Sequence, residues 1–211
     1  MLPRSLSSES LKQGVEYLTD ADLDLARLVS EVGPPPLWAR EPGFPTLVHI
    51  ILEQQVSLAY AQAAFTRLQE AAIRLTPERF LDFTDSELKR IGFSRQKTLY
   101  CRELARAILG GELDLADLHR LDDMSARSEL IKIKGIGSWT ADIYLLLAML
   151  RPDIWPSGDL ALATAVQGAK GLPSRPGPDE LESIARPWQP WRAVAARILW
   201  HHYLSQRARG D

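Results

Sequence analysis

The stretch IKIKGIGSWTADIYLL, residues 131–146, has lysines just before a turn with two glycines, and an apolar segment after it. A glycine turn can leave backbone N–H groups uncovered, and the amino end of a following helix carries a partial positive charge. These features favour binding of a phosphate group, with Lys132 and Lys134 beside it. A turn between two packed helices also needs glycine wherever φ is positive, so the pattern alone leaves both interpretations open.

The surrounding sequence predicts helices almost throughout. Leucine and alanine recur at intervals of three and four residues in LAYAQAAFTRLQEAAIRL, QKTLYCRELARAILGG and WRAVAARILWHHYL, and alternating strand patterns are almost absent. Capping signals agree with this pattern. Residues 84–87 (TDSE) have the spacing of a capping box, Ser57 precedes a helical segment, and Gly110 with Gly111 follows one. The hairpin is therefore predicted as helix, glycine turn and helix over about 124–150.

Composition excludes several classes of protein. The 211 residues are 45% apolar and 25% charged, which is typical of a globular chain, and no segment has the roughly 20 apolar residues of a membrane span. The single cysteine, Cys101, excludes an intramolecular disulfide framework and a four-cysteine zinc or iron–sulfur site. We therefore expect a cytoplasmic protein with no membrane partner. The net charge of −2 argues mildly against nucleic-acid binding, although the net charge of a whole chain does not reveal local patches of positive charge.

Four segments resemble, in the same order, the helix–hairpin–helix DNA glycosylases of base excision repair, the HhH-GPD superfamily. They are ILEQQVSLAYAQAAFTRL, IGFSRQKTLYCRELARAI, the hairpin with the WPSGDLAL that follows it, and PWQPWRAVAARILW. The resemblance covers roughly residues 40–203. It implies an all-α fold of two helical lobes, with the active site in the cleft between them, and double-stranded DNA as the partner.

Single positions indicate the branch of the family. Members related to endonuclease III carry four C-terminal cysteines, which this sequence lacks. Bifunctional members have a nucleophilic lysine just after the hairpin glycines, where this chain has Trp139. The resemblance is then to the monofunctional 3-methyladenine-DNA glycosylase II branch, whose members are N-glycosyl hydrolases that remove alkylated purines and leave an abasic site.

The same branch implies which residues hold the extruded base. Trp139 would form one wall of the pocket and attract a cationic alkylated purine through its ring face. Some members have a tyrosine four residues later, where this chain has Ile143. We expect the neighbouring Tyr144 to contribute to the pocket, although its side chain points about 100° away from that direction. Trp38 is a candidate for a second wall, with burial as a loop anchor as the alternative. The preference among 3-methyladenine, 7-methylguanine, ethenoadenine, hypoxanthine and uracil stays open.

Asp159 matches the position of the family's catalytic aspartate, at the start of the predicted helix LALATAV. Breaking an N-glycosidic bond develops positive charge on the sugar, and a nearby carboxylate stabilises that charge electrostatically. The amino end of a helix favours the ionised carboxylate that this role requires. Without the resemblance, an aspartate at this position would be interpreted as a plain N-cap.

The resemblance also implies how DNA is held. A base inside a duplex must be extruded before it can be cleaved, and a side chain has to fill the gap. Gln55 is the candidate for this wedge, with Gln54 beside it at the helix end. The candidates for phosphate binding at the hairpin are Gly135, Gly137, Ser138, Lys132 and Lys134.

No cofactor is expected, apart from a structural Na+ or K+ ion that similar proteins hold at the hairpin. Backbone carbonyls would be its ligands, and the candidates are Ile131, Ile133 and Ile136. Carbonyl ligands leave no side-chain signature, so this site follows from the resemblance alone.

We expect a monomer built from three segments. Residues 1–44 form an N-terminal helical segment that packs with the C-terminal lobe, residues 45–150 form the lobe with the hairpin, and residues 151–211 carry the aspartate loop and the C-terminal helices. Two alternatives to an enzyme remain. One is a non-catalytic helix–hairpin–helix DNA-binding protein, and the other is an unrelated helical scaffold in which GIG is only a turn.

Overall fold

The computed structural model describes the backbone of residues 5–210 and the side chains of residues 5–208. The predicted segments 1–44 and 151–211 thus include residues 1–4 and 211, which lie outside the described residues. Over the described part the chain forms twelve α-helices and no strand, which confirms the predicted all-α class. None of the described helices has the length and apolar content that crossing a membrane requires.

The α-helices are α1 (Ser8–Ala21), α2 (Leu23–Val32), α3 (Phe44–Glu53), α4 (Leu58–Ala72), α5 (Pro77–Asp82), α6 (Asp85–Ile91), α7 (Arg95–Leu109), α8 (Asp123–Ile131), α9 (Ser138–Leu147), α10 (Leu160–Lys170), α11 (Pro178–Ala185) and α12 (Arg192–Gly210). Two short 3-10 turns, Asp117–Arg120 and Arg186–Trp188, precede α8 and α12. The chain divides into two compact units. The central unit, Arg40–Ala148, contains α3 to α9, and the terminal unit contains residues up to 39 and from 149 onward.

Helices α3 and α9 form the core of the central unit. Both are apolar on nearly every side, and most of their residues are buried, as expected for helices without a polar face. The predicted caps around this core are confirmed. Ser57 Oγ accepts a hydrogen bond from the Tyr60 N–H at 3.2 Å, and Thr84 and Glu87 form a reciprocal capping box. Helix α7 ends directly before Gly110, as the glycine pair indicated.

The predicted hairpin is formed by α8, the turn 132–137 and α9. Its two helices are joined by a bidentate ion pair, in which Arg127 donates to the Asp142 carboxylate at 2.7 and 3.1 Å. The Asp142 side chain is only 5% exposed, so the ion pair is largely shielded from water. The ion pair therefore fixes the angle at which the turn is presented.

Helix α10 is anchored at its carboxyl end in the terminal unit. Lys170 Nζ donates to both carboxylate oxygens of Asp22 at 3.0 and 2.8 Å and to Asp24 at 2.9 Å. Burial lowers the pKa of Lys170, but the two carboxylates outweigh burial and raise it above its ordinary value. Trp188 Nε1 also donates to Asp22, at 2.8 Å. The amino end of α10, where Asp159 lies, is therefore the end of a helix with a fixed axis.

Replacing Arg127 with Ala should destabilise the protein by about 2 kcal/mol, because the buried Asp142 carboxylate loses its charged partner. Urea unfolding followed by circular dichroism measures the change. Arg120→Ala is the matched control. Its ion pair with Asp117 spans the same kind of contact, at 2.9 Å, but the two side chains are 83% and 57% exposed, so its loss should cost less than about 0.5 kcal/mol. Equal losses of stability in the two variants would contradict a stabilising role of the ion pair between Arg127 and Asp142.

Candidate active site

Asp159 is the N-cap of α10 in the terminal unit. Its Oδ1 accepts a hydrogen bond from the Leu162 N–H at 2.7 Å, and its own N–H donates to the Pro156 carbonyl at 2.9 Å. The side chain is half-buried. The structure thus gives Asp159 the capping role that was the alternative interpretation, and this role holds a carboxylate rigidly at the positive end of a helix.

Trp200 is a neighbour of Asp159 that the sequence analysis missed. Its Nε1 donates to Asp159 Oδ1 at 3.2 Å, so this oxygen accepts from two donors on different helices. Two donors on different helices fix the orientation of the carboxylate. The segment that carries Trp200 was recognised, but no local pattern links a residue of α12 to one that precedes α10.

Trp38 lies in the terminal unit, in a loop held by α12. It has a positive φ of 49°, and its half-buried ring contacts His201 edge to face, with centroids 6.1 Å apart. The preceding Leu37 carbonyl accepts a hydrogen bond from Arg197 Nε at 2.9 Å. Arg197 is fully buried, which lowers its pKa to about 10. The contact with His201 and the hydrogen bond to the Leu37 carbonyl support the loop-anchor alternative. The Trp38 ring is still partly exposed, so it could also serve as a second pocket wall.

The two hairpin glycines have different reasons to be glycine. Gly135 has a φ of 97°, and a Cβ there would overlap the Tyr100 ring, so the fold itself requires glycine. Gly137, the N-cap of α9, has an ordinary φ of −89°, and a Cβ there would meet no described atom within 4 Å. The fold does not require glycine at this position. An uncovered helix amino end is what a phosphate needs for close approach to the backbone.

The other predicted phosphate ligands surround this amino end. Ser138 is exposed in the first turn of α9, and Lys134 is exposed in the turn. Lys132 is exposed too, but its Nζ binds both carboxylate oxygens of Glu129 at 2.7 Å. A surface pair of this kind is weak, and DNA phosphates can displace it.

The carbonyls proposed to bind a cation belong to the end of α8 and the turn. The Ile133 carbonyl accepts the Ile136 N–H at 3.0 Å. A carbonyl oxygen has two lone pairs, so it can accept this bond and still coordinate an ion. Backbone carbonyl oxygens are among the ligands that hard cations take. Among the described residues, no group of three or more His, Cys, Asp or Glu side chains is arranged to hold a metal ion.

Gln55 and Gln54 have opposite surroundings in the loop between α3 and α4. Gln55 is exposed and has a positive φ of 57°. Gln54 is half-buried, and its Nε2 donates to the Gly135 carbonyl at 3.0 Å and to Thr140 Oγ1 at 2.9 Å. The Gln54 side chain is therefore bound to the hairpin, which favours a role in holding the helix end over insertion into the duplex. Gln55 remains the candidate.

Trp139 and Tyr144 also differ from each other in their exposure. Trp139 is half-buried in the first turn of α9. Tyr144 is fully buried, and its hydroxyl accepts the Gly43 N–H at 3.0 Å. Burial raises the pKa of Tyr144 to about 12. The assignment of Tyr144 to the wall of a base pocket is thus wrong, because its position on α9 faces the core of the central unit, as the neighbouring Ile143 also does.

The structure groups the candidate residues by unit. The central unit brings together the hairpin, Gln55 and Trp139, which are the groups expected to hold DNA and the extruded base. The terminal unit contains Asp159, Trp200 and Trp38. Each group is held by hydrogen bonds within its own unit.

Comparisons with known proteins agree with these features. The chain is similar to the alkylbase DNA glycosidase-like protein mag2 of Schizosaccharomyces pombe, with 26% identity over 196 residues that cover 90% of this chain and 92% of the relative. It is also similar to a putative DNA-3-methyladenine glycosylase of Bacillus subtilis, with 28% identity over 162 residues that cover 73% of this chain and 56% of the relative. A second DNA-3-methyladenine glycosylase of Bacillus subtilis is likewise covered to 56%. The chain thus spans little more than half the length of these two relatives.

A solved structure shares the fold over most of its length. This is the 3-methyladenine DNA glycosylase Mag1 of Schizosaccharomyces pombe in complex with abasic DNA, with a TM-score of 0.83 and 27% identity, covering 89% of this chain and 95% of that one. The model of the HhH-GPD superfamily of base excision DNA repair proteins matches residues 48–190, a span that includes α4 to α11 and Asp159. The resemblance inferred from the sequence is confirmed, and the chain belongs to the HhH-GPD superfamily.

Proposed function

We propose that this chain is a monofunctional DNA glycosylase that extrudes alkylated purines of the 3-methyladenine type from duplex DNA and hydrolyses the N-glycosidic bond. The observation that carries the proposal is the carboxylate of Asp159, held at the amino end of α10 by the Leu162 amide and Trp200. The names of its relatives, several of them DNA-3-methyladenine glycosylases, support the same substrate class.

The reaction requires one carboxylate and one water molecule. As the bond between C1′ and the base nitrogen breaks, its electron pair neutralises the cationic base, and positive charge develops on the sugar. Asp159 stabilises that charge and accepts a hydrogen bond from the water that attacks C1′. The attacking water gives up one proton, which passes to solvent, and an intact abasic site remains. A cationic base leaves without protonation, so no second carboxylate is needed as a general acid.

The base and the DNA backbone are held by the central unit. A cationic purine stacked on Trp139 gains about 0.5–2 kcal/mol from the ring face. Gln55 fills the gap in the duplex, and the uncovered amino end of α9 binds a phosphate. A Na+ or K+ ion on the carbonyls of the turn would add positive charge next to that phosphate. We expect a monomer that acts in the cytoplasm, on the DNA of the nucleoid.

The second candidate function is non-catalytic DNA binding through the hairpin. It is favoured by the uncovered amino end of α9, which is sufficient for phosphate binding without any chemistry. Non-catalytic DNA binding does not explain why the Asp159 carboxylate accepts hydrogen bonds from both an amide and an indole. The two functions are separated by excision, because a binding protein releases no base.

Asp159→Asn should lower excision of 3-methyladenine from methylated duplex DNA by about a hundredfold to a thousandfold, the usual effect of removing one electrostatic group from a transition state. The amide oxygen of Asn can still accept the bonds from Leu162 and Trp200, and Asn is an equally good N-cap, so the fold should be unaffected. Released bases are measured by chromatography, on a panel that also contains 7-methylguanine, ethenoadenine, hypoxanthine and uracil. The variant should bind abasic duplex normally.

Asp122→Asn is the matched control for this experiment. Asp122 caps α8 in the same way, with its carboxylate accepting the Ser125 N–H at 2.9 Å, and should lose no excision activity. Near-native excision by Asp159→Asn would remove this residue from the mechanism. If the wild-type protein released no base at all, non-catalytic DNA binding would be the candidate function that remains.

Gly137→Asp should weaken binding to abasic and undamaged duplex alike, by about tenfold or more, because one charge-assisted phosphate contact is replaced by repulsion. The new side chain can cap α9, so the melting temperature should not fall. Fluorescence anisotropy at several salt concentrations measures affinity. The loss of one phosphate contact should also reduce the slope of log affinity against log salt by about 0.9.

Gly177→Asp is the matched control for the hairpin. Gly177 is the N-cap of α11, and a Cβ there would also meet no described atom within 4 Å, so the same change can cap a helix away from the hairpin. It should leave DNA affinity unchanged, and equal losses in the two variants would contradict a phosphate site at α9. Repeating the wild-type titration with N-methylglucamine in place of sodium and potassium, at constant ionic strength, tests the cation, whose removal should weaken binding.

Borohydride should trap no covalent complex between the protein and lesion-bearing DNA. A lyase needs a neutral amine near C1′, but Trp139 stands where bifunctional members have lysine, and Lys170 is held by two carboxylates that raise its pKa. Strands should break only after alkali or heat, as seen on a denaturing gel. An adduct that disappears on replacing Lys132 or Lys134 would overturn both the monofunctional assignment and the phosphate-binding role of these lysines.

A further inference from the structure

The loop between α3 and α4 is fastened on both sides of Gln55. On the amino side, Lys97 Nζ donates to the Leu52 carbonyl at 2.6 Å, and Arg40 forms a bidentate ion pair with Glu53 at 2.8 and 3.1 Å. The Leu52 carbonyl lies in the last turn of α3, where carbonyls lack partners within the helix. Burial lowers the pKa of Lys97 below its ordinary value. A partly desolvated ammonium group bound to a carbonyl is a firm anchor for this helix end.

On the carboxyl side, Ser57 caps α4. The residue directly before Gln55 is Gln54, whose amide nitrogen carries two N–H groups. One is bound to the Gly135 carbonyl in the hairpin turn, and the other to the buried Thr140 in the first turn of α9. Gln54 thus binds both the turn and α9, the helix whose amino end is the proposed phosphate site.

The far side of the hairpin is fixed as well. The Tyr100 ring of α7 lies against Gly135, so closely that a Cβ there would overlap it. Gln96 donates to the Tyr100 hydroxyl at 2.6 Å. The turn therefore lies between Tyr100 and Gln54, and Gln54 is its hydrogen-bonded link to the loop that presents Gln55.

We propose that Gln54 is a positioning residue that fixes the distance between the phosphate bound at α9 and the Gln55 side chain, so that engagement of the hairpin places Gln55 at the base step to be opened. This inference rests on the proposed function, since it assigns a task within base extrusion. It makes hairpin binding and wedge insertion one event. Without Gln54 the hairpin would still bind phosphate, but the wedge would no longer be held in register with it.

The experiment separates binding from insertion. The probe is a duplex with a tetrahydrofuran abasic analogue next to 2-aminopurine, whose fluorescence rises when it unstacks and which the enzyme does not cleave. Gln54→Met keeps the length of the side chain and removes both donors. At saturating protein it should keep the affinity and salt dependence of the wild type but lose most of the fluorescence increase. Excision of 3-methyladenine should fall about tenfold in kcat with KM unchanged, the net effect of two neutral hydrogen bonds.

Two further variants distinguish positioning from a loss of folding. Gln54→Lys restores a nitrogen donor at the end of a long side chain and should recover fluorescence and kcat. Thr140→Val removes one acceptor without changing shape, and combining it with Gln54→Met should add nothing to the loss caused by Gln54→Met alone. A structural role would instead lower the melting temperature and the affinity, while leaving the fluorescence of each bound complex unchanged.

A full fluorescence increase with wild-type kcat in Gln54→Met would overturn the inference while leaving the proposed glycosylase intact. So would a Thr140→Val protein with unchanged fluorescence and a double variant worse than Gln54→Met. A wild-type protein that opens the probe but excises no base would contradict the proposed function instead. In that case the fluorescence of Gln54→Met still decides whether the hairpin and the wedge are coupled.

Discussion

The uncovered amino end of α9 is the constraint on which the central unit depends. Backbone amides can bind a phosphate only if no side chain covers them, so Gly137 gives up the stabilisation that a capping side chain would add. An uncapped helix end is a weak point, and the neighbouring contacts offset it. Arg127 and Asp142 join the two hairpin helices, Tyr100 closes one side of the turn, and Gln54 binds the other. These contacts stabilise the hairpin without a side-chain cap at Gly137.

The terminal unit also has a helix amino end in its candidate site, but this one carries a side-chain cap. At α10 the helix end is capped, and the capping group, Asp159, is the carboxylate assigned to catalysis. Capping and chemistry do not compete here, because both need an ionised carboxylate in a fixed orientation. Trp200 adds a donor from α12, and Lys170 secures the opposite end of α10. In the proposed function, the amino end of α9 binds an anion from DNA, and the amino end of α10 holds an anion for the reaction.

Local signals in the sequence predicted the helices, their caps and the hairpin, because these depend on residues within a few positions of one another. The contacts of the candidate site were harder to predict. Asp159 meets Trp200, and Gln54 meets Gly135, across long stretches of chain that no periodic pattern connects. Tyr144 was misassigned for a related reason. Its neighbour in sequence fitted the family's pocket position, but the helix turns that side chain into the core, where the Gly43 amide binds it.

Backbone strain marks functional residues only when it is combined with such contacts. Four residues other than glycine have a positive φ, within the described part of the chain, namely Trp38, Gln55, Ile73 and Leu150. This conformation costs of order 1–3 kcal/mol for an L-residue and persists only where the surroundings enforce it. Gln55 is exposed and follows a residue bound to the hairpin, whereas Ile73 is exposed at the end of α4 and is followed by a loop. What distinguishes Gln55 is that the preceding residue, Gln54, is bound to the hairpin turn, so relaxing the strain would move the Gln55 side chain relative to the proposed phosphate site.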